Sequence, residues 1–268
     1  MKVVIVGCGW LGSLLAKVLV AAGHSVTVTQ RSEGATALAG LAVGFQQLDL
    51  AQPIIDPTAL ETLFANAVVV CAITPGRQQQ DDRYYYSLTQ LADLLQRAGS
   101  RGVIHFSSSG IYQGLAGDVT EQSDLVLTEP RVARLYSGEQ ALQQFQPCMT
   151  LRLAGLMGPG RHPARFSDGK ALTDPDAAVN MVHSADICRA VIQLLSYPTL
   201  PVGTYNLVCP QRVNRVEFYQ QAARHAGTTV SFAGTADKQR RVIAQAFIDC
   251  FDFQYQFACA SAALLHCG

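Results

Sequence analysis

Residues 3–12 run Val-Val-Ile-Val-Gly-Cys-Gly-Trp-Leu-Gly and set Gly7, Gly9 and Gly12 at the G-x-G-x-x-G spacing. Glycines so placed can cradle a diphosphate, because each has a separate task. Gly7 permits a tight turn, Gly9 keeps any side chain out of pyrophosphate space, and Gly12 lets a helix lie close on a strand. The first helical N–H groups, at Trp10 and Leu11, then face the phosphates together with the positive end of the helix dipole. A bare glycine pattern says little. This one follows an apolar, β-branched run and precedes Leu11, Leu14, Leu15, Val18 and Leu19 at helical intervals that stop at Gly23. That context predicts a strand-turn-helix unit that holds a dinucleotide.

The end of the next predicted strand, Ser25–Thr29, bears on which dinucleotide. NAD-preferring folds carry an acid there to bind the ribose 2′-OH. This chain has Gln30-Arg31-Ser32 instead. No carboxylate is present to repel a 2′-phosphate, and a guanidinium and a hydroxyl could hold one. NADP(H) is therefore expected in preference to NAD(H); the competing reading of Arg31 is a solvated loop residue.

Strands and helices must alternate to position these groups, and the pattern does so. Strands are predicted at 2–6, 25–29, 44–47, 67–73, 102–107 and 149–153, and helices at 11–22, 57–64, 82–98, 131–145 and 184–196. The Val68–Ile73 run is apolar on consecutive residues, as a strand buried on both faces should be, and its end supplies Ala72 and Ile73 to the expected cofactor site. The reading is an α/β fold, a Rossmann-type doubly wound parallel sheet over residues 1–155. Residues 156–268 form a small C-terminal substrate-binding region interleaved with the last Rossmann elements. Segment 156–181, with Pro159, Pro163 and Pro175, reads as irregular, and the tail as a helix near 215–226, short strands and a helix near 238–249.

Composition narrows the function. The 268 residues carry zero formal net charge and are 49% apolar, which argues against a nucleic-acid footprint and against disorder. No run has the length of a membrane span, and the first residues read as a strand. The eight cysteines lack a CxxC pair or a Cys/His cluster at metal spacing, so a reduced, cytoplasmic setting without a structural metal is expected.

Four further stretches carry a resemblance over nearly the whole chain: Leu48-Asp-Leu50, Phe106-Ser-Ser-Ser-Gly-Ile-Tyr112, Leu151-Arg-Leu-Ala-Gly-Leu-Met-Gly-Pro-Gly160 and Val179-Asn-Met-Val-His-Ser-Ala-Asp-Ile187. With the glycine motif they resemble the extended short-chain dehydrogenases/reductases, the group of nucleotide-sugar epimerases and dehydratases. The resemblance implies that Asp49 and Leu50 hold adenine and that Ser108 is the serine near the reacting oxygen. It also implies that Leu153 and Ala154 line the nicotinamide and that His183 lies near the pocket. Members often dimerise through the helices placed here at 82–98 and 131–145, which makes a homodimer the implied assembly.

The departures are as informative. The family's proton-transfer pair is a tyrosine and, four residues on, a lysine, supported by a serine and an upstream asparagine. Setting Glu139-Gln-Ala-Leu142 on the family's Glu-x-x-Leu puts Arg131 at the tyrosine position and Leu135 at the lysine position; Ser87 falls near the asparagine. Arginine stays protonated and cannot exchange the proton, and leucine supplies no charge to lower a phenol's pKa. Two phenols could stand in. Tyr136 lies five residues past the expected position, roughly 140° further around the helix. Tyr112, four residues past Ser108, could reach the substrate end of the pocket or be a core aromatic. Arg131 and Arg161 could hold a diphosphate or carboxylate substrate, with solvated surface charge as the other reading of Arg161. Two functions fit: an NADP-dependent oxidoreductase or epimerase acting on a nucleotide sugar or related small polar molecule, or a protein that binds and senses NADP(H) without hydride chemistry.

Overall fold

The first element of the computed structural model is a strand, β1 (Lys2–Val6), whose last four residues are buried, as its unbroken apolar run requires. The structure describes residues 1–32, 38–76, 82–234 and 239–268. After β1 come α1 (Trp10–Ala21), β2 (Ser25–Gln30), β3 (Val43–Gln47), α2 (Thr58–Phe64), β4 (Val68–Cys71), α3 (Arg83–Ala98), β5 (Gly102–Ser108) and α4 (Pro130–Leu142). Strands Cys148–Leu153 and Gly203–Leu207 complete a seven-stranded sheet. Its order is Gly203–Leu207, Cys148–Leu153, β5, β4, β1, β2, β3. The β1–β2, β1–β4, β2–β3 and β4–β5 pairings are all parallel. The order reverses beside β1, which pairs with β2 on one edge and β4 on the other, so the carboxyl end of β1 stands at a topological switch point. This is the Rossmann-type α/β fold that the alternation predicts.

The chain divides into two compact units. The first comprises Met1–Ser107, Pro130–Leu151 and Val191–Thr204, the second Ser108–Glu129, Arg152–Ala190 and Tyr205–Gly268. In the first, α2, α3 and α4 pack Phe64, Leu88, Leu91, Leu95 and Leu142 over Val4, Val69 and Val103 of the sheet. In the second, Met157, Phe218, Phe257, Ala263 and Leu264 form a separate core. It is braced by three short parallel pairs: Gly155–Met157 with Met181–His183, Ala171–Leu172 with Ser231–Phe232, and Gly117–Val119 with Arg240–Val242.

The helix predicted near 238–249 is a correction: residue 238 lies outside the described residues, Arg240–Val242 is a strand, and the helix runs Gln245–Phe251. Pairing with Gly117–Val119, distant in sequence, decides that segment. Segment 156–181 is likewise not wholly irregular, since it contains the helix Ala164–Ser167 and short strands that partners elsewhere select. No helix among the described residues is long and apolar enough to cross a membrane. All eight cysteines are free, and no His/Cys/Asp/Glu group among the described residues could hold a metal ion.

A buried polar group sits under α3 and α4 in the first unit. His105 of β5 is wholly buried and takes the Tyr84 hydroxyl at 3.2 Å, while Ser107, two residues on and so on the same face, donates to Glu139 Oε1 at 2.5 Å. Burial, opposed by the Glu139 charge, lowers the imidazole pKa from 6.5 to about 4. A histidine held neutral in the fold binds its proton sooner when unfolded. Its contribution to stability is therefore lost as pH falls from 6.5 through about 4, by roughly 3 kcal/mol in all. Chemical denaturation between pH 7 and pH 4 should show this slope in the parent, and His105→Gln should remove it; an unchanged slope in the variant refutes the assignment.

Candidate functional site

A cavity of about 440 Å³ opens at the carboxyl ends of β1, β2 and β4, wholly within the first unit. Its floor is the loop between β1 and α1. The N–H groups of Gly7 and Cys8 both donate to Thr29 O, at 3.3 and 2.9 Å, so the loop is tied to the end of β2. Gly7 has φ +91°, and a Cβ there would lie 3.1 Å from the Ala72 carbonyl carbon and the Ile73 nitrogen. A Cβ on Gly12 would come within 3.1 Å of Gly7 O, which is the close helix-strand approach expected of it. At Gly9 the result is opposite: a Cβ meets nothing within 4 Å. Gly9 borders the cavity, so any side chain there would occupy the cavity and not the core.

Of the residues predicted to hold the cofactor, Gly7, Gly9, Gln30, Arg31, Ser32, Asp49, Leu50, Ala72 and Ile73 line this cavity together. Trp10, Leu11 and Gly12 do not; Leu11 and Gly12 are buried beneath the loop in α1. Leu153 and Ala154 belong to the second unit, where Ala154 N–H donates to Leu207 O. Arg31 and Ser32 are exposed on the β2 side of the cavity, and Gln47 Nε2 donates to Arg31 O at 2.9 Å, fixing that corner. The Gln30 amide nitrogen donates to Cys8 O, which clamps the strand end to the glycine loop. Asp49 Oδ1 accepts from Ala51 N at 3.0 Å, and Gln90 Nε2 holds Leu50 O at 2.7 Å.

The sequence pattern does not single out Arg83 and Tyr84, which with Ser87 form the α3 wall. The i, i+3 spacing of Tyr84 and Ser87 puts them on one helix face, a signal that was available. Ser87, at the family's asparagine position, is buried at 6% exposure.

The catalytic and substrate candidates are divided between the units. Ser108 is half-buried, with its Oγ accepting from Gly110 N at 3.1 Å in the turn that follows β5. Tyr136, half-buried, and Arg131, exposed, both lie on α4, where Leu135 points into the core at 1% exposure. Tyr112 is wholly buried in the second unit. Its hydroxyl donates to Asn206 Oδ1 at 2.8 Å and accepts from Arg152 Nη1 at 2.9 Å. Asn206 N–H in turn donates to Glu121 Oε1 at 2.7 Å. Burial raises the Tyr112 pKa, opposed by Arg152. In this arrangement the phenol links Asn206 to Arg152, which fits the core-aromatic alternative. His183 is buried against Phe257, with Nε2 toward His266 O at 3.2 Å and Nδ1 accepting from Ala185 N. Arg161 donates from Nε to Leu156 O at 3.1 Å and lies over the Phe166 ring.

Residues 3–207 match the sequence pattern of the NAD dependent epimerase/dehydratase family. The chain belongs to that family. Protein YeeZ of Escherichia coli strain K12 is 32% identical over 272 residues, covering 96% of each chain. Among solved structures, the UDP-glucuronic acid 4-epimerase from Bacillus cereus, in complex with NAD, superposes with a TM-score of 0.80 at 16% identity, covering 99% of this chain and 97% of that one. The Bordetella bronchiseptica enzyme WbmG, in complex with NAD and UDP, gives 0.79 at 17% identity over 99% and 94%. These likenesses bear on the fold.

The open space at Gly9 yields a direct test. Gly9→Val should leave the melting temperature within a few degrees of the parent, because nothing in the fold is displaced, yet weaken dinucleotide binding at least 100-fold. Titration showing equal affinity in the two proteins would make the glycine loop a purely structural turn.

Proposed function

We propose that the first-unit cavity binds a nicotinamide dinucleotide, NADP(H) in preference to NAD(H), and that the protein catalyses hydride-transfer chemistry on a nucleotide sugar or a related small polar molecule. The observation that carries the reading is the glycine cradle, with Gly7 and Gly12 in tight contact and Gly9 facing open volume at the mouth of the cavity. Nucleotide-sugar enzymes holding NAD are among the fold relatives, which supports both the cofactor class and the substrate class.

When bound, the nicotinamide supplies the hydride acceptor or donor. The chain's own residues do the rest. Gly9, at the head of α1, leaves room for the diphosphate at the positive end of the helix dipole, and Asp49 and Leu50 border the adenine. Ala72 and Ile73 close the β4 side of the cavity. Ser108 orients the substrate oxygen with its hydroxyl, and Tyr136 passes the proton. Arg131 and Arg161 hold the anionic part of the substrate. In solution the protein acts as a homodimer in the cytoplasm.

Arg31 and Ser32 are the groups assigned to the 2′-phosphate. Because Gln30 turns its amide nitrogen to Cys8 O, its Oε1 is the atom left for a ribose, and an acceptor there suits a 2′-hydroxyl. That geometry favours NAD(H) as the second reading. A charge-assisted contact from Arg31 is worth about 1.5–3 kcal/mol, or roughly 10- to 150-fold in affinity. Arg31→Ala should thus abolish most of an NADPH preference while sparing NADH; equal affinities in the parent would decide for Gln30.

The buried Leu135 and exposed Arg131 at the family's lysine and tyrosine positions favour a different second reading, a dinucleotide-binding sensor without turnover. Turnover on a panel of nucleotide sugars and small carbonyl compounds separates the two. Ser108→Ala should lower kcat roughly 10- to 1000-fold by removing one positioned donor, with cofactor affinity unchanged. Tyr136→Phe should lower kcat with its fold intact. Tyr112→Phe should instead lower the melting temperature, since Arg152 and Asn206 lose a buried partner at a cost of about 1–3 kcal/mol. Tight NADP(H) binding with no reaction across the panel would establish the sensor.

A further inference from the structure

The wall of the cavity that α3 contributes is an aromatic ring whose place is set from behind. Tyr84 lines the cavity, yet it is only 2% exposed, and its hydroxyl is paired with the buried Nε2 of His105 at 3.2 Å. On its other side the ring presses on α4 at Gly138, the one glycine within that helix. A Cβ on Gly138 would lie 2.9 Å from Tyr84 Cδ1 and Cζ and closer still to Cε1. Real Cβ atoms do not approach so near, so any larger residue must displace the ring.

Tyr84 belongs to the same buried cluster as Leu88, one turn along α3, and Leu142, one turn along α4 from Gly138, and a close-packed core yields little. The open volume beside the ring is the cavity. We propose that Gly138 is a positioning residue for the cofactor pocket: by its lack of a side chain it seats Tyr84 against α4 and keeps the pocket wide enough for a dinucleotide. His105 completes the device by anchoring the phenol at the far end. The pairing explains why helix α4 keeps a glycine at an interior position, where it costs about 1 kcal/mol relative to alanine.

This inference rests on the cofactor reading above, and the experiment separates the two. NADPH and NADH affinities are measured by fluorescence titration for the parent, Gly138→Ala, Tyr84→Leu and the double variant, each well below its melting temperature. Gly138→Ala should bind at least 10-fold more weakly than the parent. Replacing the ring by the smaller leucine removes the clash, so in the Tyr84→Leu background Gly138→Ala should change affinity less than threefold. A loss of stability alone would not produce that suppression. If Gly138→Ala does not fold, the double variant must fold, and Tyr84→Leu must itself shift dinucleotide affinity; no shift overturns the role. A parent that binds dinucleotide and a Gly138→Ala that binds equally well overturns the positioning role alone. A parent that binds neither dinucleotide overturns the cofactor reading and this inference with it.

Discussion

The contact between the β1–α1 loop and the two strands beside it constrains everything else in the first unit. Gly7 adopts a positive φ and lies against the Ala72–Ile73 backbone, while its carbonyl oxygen is approached by Gly12 from the next turn. Three backbones thus meet where an added methyl group would lie 3.1 Å from its neighbours. Hydrogen bonds from Gly7 and Cys8 to Thr29 O, and from Ala72 to Val6 O, lock the loop to β2 and the end of β4 to β1. Because these bonds are backbone bonds, they fix the strand ends irrespective of side chains, and the cavity follows from the divergence of those ends. The Gln30 clamp on Cys8 adds a side-chain tie at the same corner.

A second pattern concerns where polar groups are sealed. Each unit encloses its own polar knot, His105, Tyr84, Ser107 and Glu139 in the first, Tyr112, Asn206, Arg152 and Glu121 in the second. Buried polar atoms without partners cost free energy, and these are satisfied almost throughout; His105 Nδ1 is an exception among the described residues. Such knots select one packing among many, since only one arrangement pairs every member. In the second unit, Asp186 plays the same part by accepting from Gln256 N and Phe257 N at 2.6 and 3.3 Å.

Much of this was legible in the sequence, and the limits have physical causes. The glycine spacing gave the strand, turn and helix, because glycine is chosen by backbone geometry, which is local. The buried strands β1 and β4 were readable as apolar runs for the same reason. Strand Arg240–Val242 was not, since its partner Gly117–Val119 lies far away in the chain and nothing in three residues announces it. Tyr112 shows the other limit. Its type and its distance from Ser108 suit chemistry as well as packing, and the buried bonds to Asn206 and Arg152 that favour packing come from remote segments. Arg83 and Tyr84 escaped notice because a site wall made by a helix carries no motif, only a face.

The second unit is sewn together from the far end of the chain. Phe257, Ala260, Ala263, Leu264 and Cys267 supply much of its core, and Gln256, Phe257 and His266 accept or donate the bonds that hold His183 and Asp186. During synthesis these residues follow every segment of the first unit, the last of which ends at Thr204. The nucleotide cradle can therefore assemble while the remainder of the molecule waits, its apolar surface exposed. A dinucleotide present at that stage would stabilise the half already formed, by mass action on the folded state. On the cofactor reading, the order of emergence would make the small molecule a companion of folding as well as of chemistry.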